Sequence, residues 1–147
     1  MKFTIHVADA RHLPDINRLI VGTRIGSAMR KLEGRFWFAR VQGRVVGCIG
    51  VDVVGPRTVI LTHLVVEEGY RRQGVGMSLF RNAIALVRGE GATTLAFITM
   101  YYHFNRFKRE GFRTEPRRFL PDNVRGHWMF TTKRYMKCAA MIQEFSK

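Results

Sequence analysis

The seven residues Tyr70-Arg71-Arg72-Gln73-Gly74-Val75-Gly76 lie between an apolar strand-like run, Ile60 to Val66, and an apolar helix-like run, Met77 to Val87. This feature limits the fold more than any other, because it demands a strand that feeds through a glycine turn directly into a helix. Gly74 and Gly76 let the backbone approach a ligand with no side chain in the way, and the free amides of the first helical turn point outward. The helix dipole adds partial positive charge at that end, and Arg71 and Arg72 add full charges. A turn so placed is a cradle for a phosphate. The dinucleotide and mononucleotide fingerprints fail in detail, since the chain has neither Gly-x-Gly-x-x-Gly nor Gly-Lys-Ser/Thr at this turn.

Elsewhere the pattern alternates between strand and helix signals. Phe3, Ile5 and Val7 alternate with polar neighbours, as in a half-buried strand. Pro14 in a first turn, with Leu13, Ile16, Leu19 and Ile20 at helical spacing, predicts a helix from Leu13 to Val21. A second short helix is expected over Ser27 to Glu33, ended by Gly34. Phe36 to Val41 and Arg44 to Val53 read as a hairpin around Gln42-Gly43, and after Gly55-Pro56 a further strand runs from Thr58 to Val66. The helix beyond the glycine turn is ended by Gly89 and Gly91. Thr94 to Met100 is almost wholly apolar, which suits a central strand covered on both sides. A helix is expected from Tyr102 to Arg109, closed by Gly111. Val124 to Met136 has room for another, and Cys138 to Ile142 reads as a closing strand. The order is that of a single α/β (or α+β) domain spanning residues 1–147.

Composition narrows the function classes. The 147 residues suffice for one well-packed core, and no apolar stretch approaches the roughly 20 residues of a membrane span. Met1 to His6 lacks the long apolar core of a secretory signal, so a cytoplasmic protein is expected. Two isolated cysteines, Cys48 and Cys138, make neither a disulfide framework nor a zinc site, and no metal is expected. The net charge is +14, from 25 Lys and Arg against 11 acids. Solubility and attraction to a polyanionic cofactor account for such an excess, as does a polyanionic second substrate such as tRNA. The basic residues are scattered, with the densest zone from Arg106 to Lys137.

The turn resembles the Arg/Gln-x-x-Gly-x-Gly/Ala signature of the GNAT acyl-CoA N-acyltransferase superfamily, matched by Arg71, Gly74 and Gly76. Leu64-Val65-Val66 before it and Arg109-Glu110-Gly111-Phe112 after it fall where that family has its central strand and its Gly-Phe ending. The resemblance runs from the start of the chain to Phe112 and loosens beyond. The tail, with Leu120-Pro121 and Arg134 to Cys138, is faintly similar to short N-acetylglutamate-synthase-type members. The resemblance implies a mixed, mostly antiparallel central sheet, splayed between its fourth and fifth strands and flanked by helices, with acyl-CoA in the gap.

The resemblance also implies a division of labour. Backbone amides of Arg72, Gln73, Gly74, Val75 and Gly76 would hold the pyrophosphate, supported by Arg71 and Arg72. A bulge in the fourth strand would let Leu64, Val65 and Val66 pair with the pantetheine and polarise the thioester carbonyl. Asn105 and Phe107 would meet the coenzyme from the following helix. Many members place a Tyr four residues before the Gly of Gly-Phe as the thiolate acid, but this chain has Phe107, whose ring cannot donate a proton. Tyr101 or Tyr102 would serve instead, unless the thiolate leaves unaided. His63 has the right intrinsic pKa for a base and is equally suited to a structural role, with Glu67 (and its neighbour Glu68) as alternatives and His103 as a weaker one. Phe36 and Trp37 suit core packing as well as an acceptor rim.

The leading expectation is an N-acetyltransferase that moves an acetyl group from acetyl-CoA to a primary amine by direct attack in a ternary complex, with a small amine or amino acid as acceptor. Its rivals are acetylation of a macromolecule, aminoacyl-tRNA or a protein lysine, and a non-catalytic CoA- or nucleic-acid-binding module. No membrane partner is expected, and a homodimer is one of the assembly states left open.

Overall fold

A computed structural model describes residues 2–23 and 26–145. Among the described residues seven strands form one sheet, in the order β1 (Thr4–Val7), β2 (Arg35–Val41), β3 (Arg44–Gly55), β4 (Thr58–Val66), β5 (Thr94–Thr99), β7 (Ala139–Glu144) and β6 (Arg113–Glu115). The chain divides into two compact units, one of the described residues up to Asp52 with Leu61–Gly89, the other of Val53–Ile60 with the described residues from Glu90 onward.

In the first unit β1 (Thr4–Val7) pairs antiparallel with β2 (Arg35–Val41), and β2 with β3 (Arg44–Gly55). Val41 faces Arg44 across a two-residue turn in which Gln42 and Gly43 both have positive φ, 47° and 81°. That is the geometry whose twist matches a hairpin, and Gly43 makes it cheap. At the edge strand β1 the alternation is only partly realised: Val7 is exposed, while His6 stacks on Phe38 at 5.2 Å. Helix α1 (Leu13–Val21) buries Ile16, Leu19 and Ile20 against Phe36, Phe38, Val45 and Cys48. Strand β4 (Thr58–Val66) leads into α2 (Val75–Gly89), whose Val75, Leu79, Phe80, Ala83 and Val87 are buried.

The short helix expected over 27–33 is absent; those residues are irregular. Asn17 of α1 takes both backbone groups of Met29, donating from Nδ2 to its carbonyl and accepting its N–H, each at 2.8 Å. A seven-residue segment gains little from helix formation alone, so one well-placed amide redirects it.

In the second unit Thr58–Ile60, the first residues of β4, pair parallel with Thr94–Ala96 of β5 (Thr94–Thr99). Thereafter β4 runs on to Val66 and β5 to Thr99. The antiparallel partner of β5 is β7 (Ala139–Glu144), which also pairs with β6 (Arg113–Glu115). Leu95, Ala96 and Phe97 are buried, as a central strand requires. Beyond β5 a 3-10 turn, Tyr101–His103, opens α3 (Phe104–Arg109).

In place of one helix from Val124 to Met136 there are two single turns, α4 (Asp122–Arg125) and α5 (Trp128–Thr131). His127 is extended, with ψ 145°, and its ring accepts the Met129 N–H, so it starts a new helix instead of continuing the old one. The Thr132 hydroxyl bonds the Trp128 carbonyl at 2.5 Å. Competition of this kind from a Thr side chain weakens a continuous helix. Among the described residues, no helix is long and apolar enough to cross a membrane.

Candidate active site

The β4–α2 connection carries most of the motif residues, and all of it lies in the first unit. Near the end of β4, His63 has φ 46°, a left-handed conformation inside a strand. A residue with a Cβ in that region costs roughly 1–2 kcal/mol. The expected irregularity of the fourth strand therefore falls on His63, immediately before Leu64, Val65 and Val66. Its ring lies 5.6 Å from that of Phe36, and its carbonyl accepts the Cys48 thiol at 3.4 Å. Burial pushes that thiol up to about 12, which removes Cys48 from nucleophilic chemistry.

After β4 the chain makes a 3-10 turn, Glu68–Tyr70, and then a turn in which Arg72 and Gly74 are left-handed, with φ 64° and 88°. Alternation of handedness turns successive amides toward one concave side. Val75 and Gly76 open α2, and the first intrahelical bond there runs from Ser78 N–H to the Gly74 carbonyl at 3.0 Å. Earlier amides of that turn have no carbonyl four residues back to receive them. No atom lies within 4 Å of where a Cβ on Gly74 would stand. Arg71, Arg72, Gln73 and Gly74 are exposed. The Arg71 guanidinium is partly committed, since Nε donates to the Val66 carbonyl at 2.7 Å.

Glu67 joins the strand to this turn. Its carboxylate accepts Arg18 Nη1 at 2.8 Å and Arg44 Nε at 3.1 and 3.2 Å. Burial raises its pKa, but the hydrogen bonds and charges of the two guanidiniums outweigh that and hold it below the ordinary value. A carboxylate so held is a weak base. Arg18 and Arg44 are functional candidates that reading the sequence missed. No local spacing links residues 49 positions apart, and each cation reads by itself as part of a solvated face.

The remaining candidates belong to the second unit. Tyr101 and Tyr102 are exposed, with their rings 5.7 Å apart and edge-on. Asn105 is exposed on α3. Phe107 is buried, packing edge-on against Phe97 at 4.7 Å. An apolar ring suits that place, where a phenol would need a partner for its hydroxyl. For His103, burial and then the charge of Arg106 lower the pKa.

The sequence model of the GNAT acetyltransferase family matches residues 9–112. An uncharacterized N-acetyltransferase of Chlorobaculum tepidum is 27% identical over 89 residues, covering 60% of this chain and 56% of that protein. A Xenopus tropicalis protein named probable N-acetyltransferase camello is 28% identical over 117 residues, covering 74% of this chain and 52% of that one. The chain thus spans about half the length of these curated relatives. Among solved structures, N-acetylglutamate synthase from Neisseria gonorrhoeae, complexed with coenzyme A and N-acetyl-glutamate, superposes with a TM-score of 0.83 at 18% identity. It covers 100% of this chain, which spans 36% of that one. At that identity the likeness is one of fold. The mixed sheet with its parallel β4–β5 pair and the glycine turn between β4 and α2 fit the matched family. The chain belongs to the GNAT acetyltransferase family.

Proposed function

We propose that the protein is an N-acetyltransferase that takes the acetyl group of acetyl-CoA and passes it to a primary amine by direct attack. The observation that carries this reading is the turn entering α2, where left-handed Arg72 and Gly74, an open space over Gly74 and exposed arginines make a preformed seat for a pyrophosphate. In this reading the amides of Arg72 to Gly76 hold the diphosphate, and the end of β4 offers backbone groups to the pantetheine and the thioester carbonyl. The nitrogen lone pair of the neutral amine forms the new C–N bond at the carbonyl carbon. The C–S bond then breaks and the thiolate departs with its electron pair. The left-handed His63 is the base this reading assigns for the ammonium proton, in preference to Glu67 with its two guanidiniums. The thiolate takes a proton from water or leaves unaided, because its pKa is modest. A small amine or amino acid is the favoured acceptor, in keeping with the N-acetyl-glutamate held by the Neisseria gonorrhoeae protein.

A macromolecular acceptor is the second reading. It is favoured by the exposure of Tyr101, Tyr102, Phe119 and Trp128 in a stretch that also carries Arg106, Lys108, Arg118 and Lys133. Exposed rings among cations suit bases and phosphates.

The test is release of free CoA thiol from acetyl-CoA, with amino acids, polyamines, aminoglycosides, basic peptides and aminoacyl-tRNA offered separately. Release with a small-molecule pool supports the first reading, and release only with peptide or tRNA supports the second. Silence in every pool, together with no binding of CoA itself, would sink both.

A further inference from the structure

Three parts of the first unit meet at one carboxylate. Glu67 sits where β4 ends, and its side chain receives Arg18 from α1 at 2.8 Å and Arg44, the first residue of β3, at 3.0 Å. Its backbone is held as well: the N–H donates to the Val46 carbonyl at 2.8 Å, and the carbonyl accepts the Tyr70 N–H at 2.9 Å. Arg18 completes the tie by donating from Nη2 to the Val45 carbonyl at 2.7 Å. A single 3-10 turn, Glu68–Tyr70, separates Glu67 from the left-handed turn at Arg72, and Arg71 between them is tied back to the Val66 carbonyl.

Exposed ion pairs rarely stabilise a fold by more than about 1 kcal/mol each. This cluster is arranged for a different effect. The Glu67 side chain is only 26% exposed, and a forked, multiply bonded arrangement fixes direction more than it adds energy. What it fixes is the angle at which the chain leaves β4. An anion seat made of backbone amides holds its ligand well only if the backbone is already in the bound shape, since ordering it on binding costs affinity.

We propose that Glu67 is a positioning residue, which through Arg18 and Arg44 presents the 72–76 turn ready-shaped to the diphosphate of the coenzyme. The inference rests on the acyl-CoA reading of that turn, and it gives Glu67 work other than proton transfer. Its effect belongs in affinity for the coenzyme and not in the chemical step.

The experiment pairs calorimetric titration of CoA with steady-state kinetics on Glu67→Gln and Arg18→Met. The expected result is a roughly tenfold weaker Kd for CoA in each variant. KM for acetyl-CoA should rise in step, and kcat at saturation should stay within about twofold. The double variant should be scarcely worse than either single one, because both remove the same tie. CoA affinity unchanged in Glu67→Gln, while the wild type binds, would overturn the proposal and leave the acyl-CoA reading standing. A collapse of kcat at unchanged KM would overturn it too, by making Glu67 a proton acceptor. No binding by the wild type would remove the reading of the turn and the proposal with it. Should Glu67→Gln fail to fold by circular dichroism, Arg18→Met, which keeps the carboxylate and its Arg44 partner, carries the same test.

Discussion

The Nε of Arg71 lies 2.7 Å from the carbonyl oxygen of Val66, so the first cation of the glycine turn folds back onto the strand it follows. The bond fixes the plane of the guanidinium while keeping its charge beside the turn. Lysine keeps the charge but has neither the Nε–H nor the planar fork. Arg71→Lys should therefore weaken CoA about tenfold, equivalent to about 1.4 kcal/mol. Titration calorimetry checks this, and equal affinity in the two proteins would show that charge alone matters there.

Gly74 and Gly76 occupy different backbone conformations and should respond differently to alanine. At Gly74 φ is 88° with open space above, so a methyl group meets no atom but strains the backbone by about 1–2 kcal/mol. At Gly76, inside α2, a Cβ would stand 3.4 Å from Val66 Cγ2, an ordinary contact, and alanine favours the helix by up to about 1 kcal/mol. Urea unfolding should find Gly74→Ala less stable than wild type and Gly76→Ala equal or better. The reverse order would contradict the backbone described for this turn.

Glu67 also predicts a pH dependence of stability. Its pKa in the folded chain is below the ordinary 4.5, because Arg18 and Arg44 outweigh the effect of burial. A carboxyl with a depressed folded pKa adds stability above its unfolded value, and that stability is lost as pH falls through the folded value. The stability gap between wild type and Glu67→Gln should thus be largest near neutrality and close below about pH 4.5. Exposure keeps it under about 1 kcal/mol. Denaturation midpoints across pH 3 to 7 would test this, and a gap that widened toward acid would refute it.

Arg117 governs the tail of the second unit. Its guanidinium donates to the carbonyls of Phe130, Tyr135 and Cys138 at 3.1, 2.6 and 3.0 Å. Three carbonyls at and beyond the end of α5 thus share one donor group. Arg117→Met leaves them without it and should cost about 2 kcal/mol. Amide exchange should quicken over residues 128–138. Unchanged protection there would mean that apolar packing alone orders the tail.

Local signals carried much of the architecture. The hairpin at Gln42-Gly43 was legible because a two-residue turn needs positive φ at both positions and glycine supplies one of them. The β4–α2 turn was legible because two apolar runs of different period flank its glycines. The missed features are nonlocal or too short to leave a pattern. Residues 27–33 have the composition of a helix, yet Asn17 claims the backbone of Met29 across 12 positions. Strand β6, at three residues, shows no alternation to detect. His127 ends one helical turn and begins the next through its own ring, where a continuous helix was expected.

By itself the sequence determined the longer strands and helices, the glycine turn between a strand and a helix, and the presence of cations beside it. Those properties depend on neighbours a few residues away, through period, backbone freedom and charge. Only the tertiary structure decided which strand residue takes the left-handed conformation, that Phe107 is a packed ring, and that Glu67 serves Arg18 and Arg44. These depend on groups brought together from distant parts of the chain, where burial and hydrogen-bond geometry, not sequence spacing, determine which partner each side chain finds.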